Sequence, residues 1–420
     1  MAQLSQCQFN ALKSLHSDRN VFLTGAAGTG KSFLIGQFME QLNRKTWPVL
    51  ASTGAAAIRV GGRTFHSFFG LGIMEGGKER TLERALRDSR IPRRMKKAKG
   101  IIIDEISMIP GDALSVAEEI ARWSRESEEP WGGLRVIAVG DFFQLPPVSR
   151  NGNPEWAFAD RTWAMSQFDA QVMSTVVRTN DKRFLDVLNR IRLGILDSVV
   201  EEFLRERQQD FSDDTDIMRL FARRLETEKY NLFRLDEIAG TPTQLATVYG
   251  GDKRGVEVLK KQAPIPENLI VKTGAFVMIR QNDPRERWVN GSLGHLTRIY
   301  DDRVEIELLS GNTVEVPKTS FEIFDAEGRS IAAATNFPIN LAYASTIHKS
   351  QGATFDAAQI ELKGLWEPGQ AYVALSRLRS GEGAFVSSWD RSSFRVDPRV
   401  LKFYESLEIP TESEIKLTLT

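Results

Sequence analysis

The sequence holds a single cysteine, Cys7, and four histidines in 420 residues. One thiol cannot close an internal disulfide or build a thiolate metal cage. Cys7 reads instead as a small packing residue in a reducing compartment. His66 and His348 show no metal-ligand spacing, which excludes a zinc site built on them. There is no run of eighteen apolar residues, so no membrane-spanning helix is expected. The N-terminus, MAQLSQCQFN, lacks a charged-then-apolar leader, so no secretory signal is expected. Net charge is missing too, because 55 basic residues balance 55 acidic ones. That balance argues against a surface coated in nucleic acid, although a local stripe escapes an average. Residues 80–99 carry nine Lys or Arg and two acids, and residues 201–216 carry seven acids and two Arg. The basic stretch could meet phosphates. By charge alone it reads better as a solvated helical face.

What is present points to an α/β enzyme of two to four domains. A short helix within 1–19 leads into an apolar strand at 20–24. A glycine-rich turn and a helix over 31–43 follow. Further apolar runs at 48–53, 100–104 and 134–140 alternate with helical periods. Such alternation predicts a parallel sheet covered on both faces, with ligands at the carboxyl ends of its strands. A charged, partly helical insert at 72–99 interrupts the pattern. A second αβ stretch spans about 165–262. From 272 to 334 the texture becomes short alternating strands (AFVMIR, HLTRIY, RVEIELL, TVEVP) separated by Asn290-Gly291 and Gly311-Asn312 turns. We expect a small β-barrel there, inserted in the second αβ domain. The αβ texture resumes at Leu341.

The chemistry begins at Gly25-Ala26-Ala27-Gly28-Thr29-Gly30-Lys31-Ser32, a G-x-x-x-x-G-K-[ST] loop between a strand and a helix. Its backbone amides and the helix N-terminus suit phosphates. Lys31 is expected on the β- and γ-phosphates of ATP and Ser32 on Mg²⁺. In a chain this long, average residue usage makes a chance match about a one-in-a-hundred event. Asp104 and Glu105 end the apolar run 101–103, which we place one sheet position from the loop. Asp104 is the expected metal carboxylate and Glu105 the expected general base. Alone, the pair would be a solvated strand end. Gln144, in GDFFQLPPV, could hydrogen-bond the γ-phosphate or the attacking water; an ordinary strand exit reads equally well. Arg178 and Arg377 are candidates for transition-state charge, although a generic arginine is more often a surface ion pair. Thr53, His66, His348 and Lys349 lie in loops that could line a nucleic-acid backbone. Phe65, Phe68 and Phe69 could stack on bases. For Phe68 and Phe69 we favour the core.

The order of these motifs resembles the superfamily 1B DNA helicases of the PIF family (petite integration frequency) over nearly the whole chain. LSQCQ at 4–8 is similar to that family's adenine-reading motif, with Gln8 as reader. The loop at 25–32, ASTGAAAIRVGGRTFHSFFGLG at 51–72, IIIDEISM, VGDFFQLPPV, ASTIHKSQGATFD and QAYVALSR follow in family order. Residues 112–133, ending in PWGG, resemble a stretch characteristic of the family. The resemblance implies motif-four and motif-six arginines at Arg178 and Arg377, with Thr179 where the family often has Gln. Gly352 is implied near the γ-phosphate. Thr53, Gly54, Phe65, His66, Pro147, Asn290, His348 and Lys349 are implied as the DNA-contacting set.

The resemblance implies two RecA-like parallel-sheet P-loop domains. The first would span 1–165 with a wedge insert at 72–99, whose basic stretch would then meet phosphates. The second would span 166–271 and 335–420, with the barrel at 272–334 inserted. The implied activity is ATP-dependent 5′-to-3′ translocation on single-stranded DNA and duplex unwinding, with Mg²⁺. The implied partners are single-stranded and forked DNA, for a monomer that could assemble further on DNA. The family's roles lie in repair, recombination and telomere maintenance. A cytoplasmic, nucleoid-associated place is expected if the source is bacterial or phage, and the early P-loop fits a minimal helicase or a trimmed one. Two rivals remain open. One is a RecD-like subunit of a nuclease or relaxase assembly. The other is a DNA-independent P-loop remodelling ATPase.

Overall fold

The computed structural model describes residues 4–52, 56–57, 62–72, 74, 77–148, 155–209, 216–324 and 330–407. Six parallel strands form its first sheet: β1 (Val21–Gly25), β2 (Val49–Ala51), β3 (Arg63–Thr64), β4 (Gly100–Asp104), β5 (Arg135–Val139) and β6 (Asp169–Met173), ordered β3-β2-β4-β5-β1-β6. Alternation within the apolar runs explains the two-sided covering. Ile101 and Ile103 enter one core with Phe22, Val136 and Ala138. Ile102 enters the opposite core with Val21, Leu23, Ile137 and Val139. A strand of period two that is buried on both faces must be apolar at every position. The expected strands are therefore present.

Two expectations change here. β5 lies between β4 and β1, so the carboxylate pair stands two sheet positions from the glycine loop, not one. The expected domain boundary at 165 also moves. β6 pairs with β1 from Val21–Asp169 to Gly25–Met173. The helix Pro398–Glu405 packs Val400 and Tyr404 into the first core. Backbone pairing with β1 decides the first placement and burial of Val400 and Tyr404 the second, and pattern alone cannot assign a strand to one of two similar sheets.

A second parallel sheet joins Ala344–Thr346, Met218–Phe221, Ala358–Leu362 and Ala384–Trp389 in that spatial order. Its core includes Leu220, Ile360, Val386 and the buried helix Gln370–Leu375. Between these strands in sequence lies antiparallel structure. Leu293–Ile299, Arg303–Leu308 and Thr313–Pro317 pair in register with Phe276–Ile279 and Ile339–Leu341 as a five-stranded sheet. Val304 and Ile306 point into its core, while Glu305 and Glu307 lie outside it. Pairings also begin earlier than the expected 272. Thr243–Ala246 pairs with Asn268–Val271, and Val248–Gly251 with Ser330–Asn336. Among the described residues the five-stranded sheet runs from Thr313–Pro317 to Ile339–Leu341 without a closing pair. The expected barrel is therefore seen as open antiparallel sheets.

The basic insert forms helices Gly77–Arg87 and Arg90–Lys97 on the helix Gly111–Arg125. Ile91 and Met95 are buried in the first core. Much of its charge is used internally. Arg84 donates to Leu71 O, Arg94 to Ser67 O, Arg90 pairs with Asp88 and Lys96 with Glu126.

Candidate active site

The loop after β1 turns on glycines that hold positive φ at Gly28 (82°) and Gly30 (87°). A Cβ on Gly28 would stand 2.6 Å from Arg178 Cβ, and one on Gly25 would stand 2.3 Å from Met173 O. Only glycine satisfies both the dihedral and the space. The helix Lys31–Glu40 follows, with Gly30 as its N-cap. Lys31 Nζ donates to the loop's own Gly25 O (2.7 Å) and Ala26 O. Among the described residues no carboxylate lies within ion-pair distance of it. Burial lowers the Lys31 pKa, while Asp141, Glu105 and Asp104 oppose that fall. A buried ammonium held by two carbonyls, beside a row of loop amides, fits a polyphosphate. Ser32 is exposed at the start of the same helix. Its hydroxyl and Asp104 are hard oxygen donors of the kind Mg²⁺ takes.

Asp104 closes β4, and its Oδ1 accepts Glu105 N at 3.0 Å. Glu105 has φ 53°, the left-handed region that non-glycine residues rarely hold. Gln351 links two sequence candidates: its Nε2 donates to Glu105 Oε2 (3.1 Å) and approaches Gln144 Oε1 (3.4 Å). Gln351 lies within IHKSQG but carried no role of its own among the sequence candidates. Tyr372 was passed over in the same way. Its buried hydroxyl accepts the Ala27 amide at 2.8 Å, and burial pushes its pKa up to about 12. Gln8 lies against the loop but is already engaged. Its Oε1 accepts Ser5 N in a capping box, and its Nε2 donates to Thr29 O (3.2 Å). In this arrangement it holds the loop rather than facing a base.

Arg178 covers the loop. Val177 N donates to Gly28 O, and the Arg178 guanidinium donates to Ser376 O. Arg377 points away. It is 2% exposed, with Nε donating to Val373 O and Nη2 to Ser376 Oγ. Arg178 is the arginine that covers the loop in this arrangement. Gly352 has φ 78° at the turn after Gln351.

Arg192 is a third residue outside the sequence candidates. It ends the helix Lys182–Arg192 and meets the fully buried Asp141 with two hydrogen bonds, the shorter 2.9 Å. The Tyr404 hydroxyl adds a bond to Asp141 (3.3 Å) and contacts Thr24 (2.6 Å). Arg192 also lies 4.2 Å over the Phe143 ring. Asp141 raises the Arg192 pKa against the opposing effect of burial. No short motif announces this pair, because its members are far apart in sequence.

The expected DNA set divides. Thr53 and Gly54 lie outside the described residues. Phe65 is 0% exposed and packs on Phe69 at 4.9 Å, so it belongs to the core and cannot stack on a base. Pro147 is buried as well. His66 is half-buried, and burial lowers its pKa against Asp112. Asn290 sits in a turn, with its amide on Asn282 Oδ1. His348 Nε2 stands 2.9 Å from the Glu367 carboxylate. Lys349 is exposed; desolvation and then Arg224 and Arg280 lower its pKa.

A family model described as PIF1-like helicase matches residues 3–202. The chain is 53% identical over 406 residues to the ATP-dependent DNA helicase Pif1 of Bdellovibrio bacteriovorus, covering 97% of this chain and 92% of that one. The vertebrate relative from Xenopus is longer, and the chain spans 65% of it. A Bacteroides Pif1 in complex with ADP-AlF4 superposes with TM-score 0.84 at 28% identity, covering 97% of each chain. A Bacteroides Pif1 bound to single-stranded DNA gives TM-score 0.67 at 28% identity over the same shares.

Proposed function

The chain belongs to the PIF1-like helicase family, as an ATP-dependent DNA helicase, and from that premise we propose that it translocates 5′ to 3′ on single-stranded DNA and unwinds duplex. Contact between the two parallel sheets at the glycine loop carries this reading. From the second-sheet side, Tyr372 reaches Ala27, Ser376 receives Arg178, and Gln351 reaches Glu105. A motor needs its nucleotide site to sense the approach of two bodies, and these contacts join them there.

In this reading β1–β6 and the helix Pro398–Glu405 form the first RecA-like domain, with 72–99 as its wedge. The four-stranded parallel sheet forms the second, and the antiparallel sheets are its insert. The loop amides at 25–30 bind the phosphates, and Lys31 exchanges two carbonyls for β- and γ-phosphate oxygens. Glu105 accepts the proton of the attacking water, with Gln351 on its carboxylate and Gln144 Oε1 in turn accepting from Gln351. Ser32 and Asp104 would hold Mg²⁺, which when bound supplies positive charge against the phosphates. Arg178 already lies over the loop. Arg377 must leave Val373 O and Ser376 Oγ to stabilise the transition state, so closure of the cleft and arginine release are one event. The lower TM-score to the DNA-bound relative supports a change in arrangement on DNA. We read the chain as a monomer that could assemble further on single-stranded or forked DNA, as two coordinating Pif1 helicases do at a fork in a related structure. No helix of the described residues is long and apolar enough to cross a membrane.

The test is strand displacement with ATP on tailed duplexes. Displacement of a 5′-tailed but not a 3′-tailed duplex is expected. Equal action on both tails, or turnover unchanged by single-stranded DNA, would sink the proposal.

A further inference from the structure

Of the eight tryptophans, Trp123 and Trp366 are exposed, at 59% and 43%. Their surroundings differ. Trp123 lies in a cleft whose cations, Lys96 and Arg122, are paired with Glu126 and with Glu118 and Glu128, beside a further acid, Glu119. Trp366 stands after the strand Ala358–Leu362, at the carboxyl edge of the second parallel sheet. The neighbouring strand Met218–Phe221 runs on to Arg223 and Arg224, and Ala344–Thr346 runs on to His348 and Lys349. Three adjacent strands therefore deliver cations and one large ring to a single edge, where open α/β sheets bind ligands. Among the acids near this edge, Glu367 and Glu228 face His348 and Arg224, Asp390 accepts Gly364 N, and Glu361 and Glu226 lie near each other.

The loop carrying Trp366 is held rigidly. Gly364 N donates to Asp390 Oδ2 (2.8 Å) and Leu365 N to Ser393 Oγ (3.0 Å). Trp366 N and Glu367 N both donate to Oε1 of the fully buried Gln370. Four consecutive amides are thus pinned by side chains, yet the indole they present is left in water. The Arg223 guanidinium lies 5.6 Å from the ring. Hydrophobic packing does not explain a fixed, exposed indole. A planar apolar partner bearing negative charge nearby does.

We propose that Trp366, with Arg223 beside it, is a stacking post for one base of single-stranded DNA. The adjoining phosphates would lie along Arg224 and Lys349. Stacking on an indole face is tolerant of sequence, as a translocating motor requires. This inference rests on the helicase reading above and adds to it a named base contact.

Binding of a fluorescein-labelled oligothymidylate is compared with binding of an abasic oligonucleotide of equal length. Trp366→Ala should weaken the oligothymidylate about tenfold and leave the abasic strand unchanged. Trp366→Phe, which keeps a stacking face, should stay within about twofold of the parent. Equal weakening on both strands would overturn the proposal, since phosphate contact or folding would then be at fault. A Trp366→Phe variant as weak as Trp366→Ala would overturn it as well, as would unchanged oligothymidylate binding by Trp366→Ala. Failure of the parent chain to bind either strand would instead overturn the helicase reading itself.

Discussion

The two parallel sheets share an architecture and differ in what their strand ends carry. At the first, β1 ends in a glycine loop and β4 in two carboxylates. At the second, the strand ends run into Arg223, Arg224, His348, Lys349 and Trp366. One edge is built from small residues and acids that suit a nucleotide and a cation. The other presents cations and a ring that suit a nucleic-acid strand. A buried parallel sheet leaves only its loops free to vary, so loop chemistry separates the two roles.

Lys31→Ala should give the largest effect, with ATP turnover falling below detection; retained hydrolysis would break the assignment of the first edge. Next comes Arg377, which the proposed closure would release from Val373 and Ser376. Arg377→Ala should lower kcat by about a thousandfold with DNA affinity retained. Loss of DNA binding in that variant would move Arg377 to the second edge. Glu105→Gln should still bind ATP but turn over about a hundredfold more slowly; failure to bind nucleotide would show that the carboxylate shapes the site rather than activating water. The last of these effects concerns stability rather than turnover. Arg192→Met leaves Asp141 buried without its cation and should cost about 3 kcal/mol in chemical denaturation. Adding Asp141→Asn should recover part of the loss. No recovery would mean that Arg192 acts through its stacking on Phe143 alone.

Much of the nucleotide site was legible in the sequence because its chemistry is local. A glycine loop needs adjacent glycines, and strand-end acids follow their strand directly. The base-contact candidates were less legible. Phe65 looks like a stacking residue in a loop, but Thr64 caps a short helix there and turns Phe65 into the core. The antiparallel insert was recognised by alternation but begun too late, because Thr243–Ala246 and Val248–Gly251 are short strands with little apolar signal.

By itself the sequence determined the two parallel-sheet textures, the phosphate loop, the acid pair and the family, since each depends on spacing along the chain. The tertiary structure decided which sheet received β6 and the last helix, and it placed β5 between the acids and the loop. It also brought Gln351 to Glu105, Tyr372 to Ala27 and Arg192 to Asp141. Those contacts join residues 51 to 345 positions apart. Burial and strand pairing in three dimensions select them, and no local period encodes them.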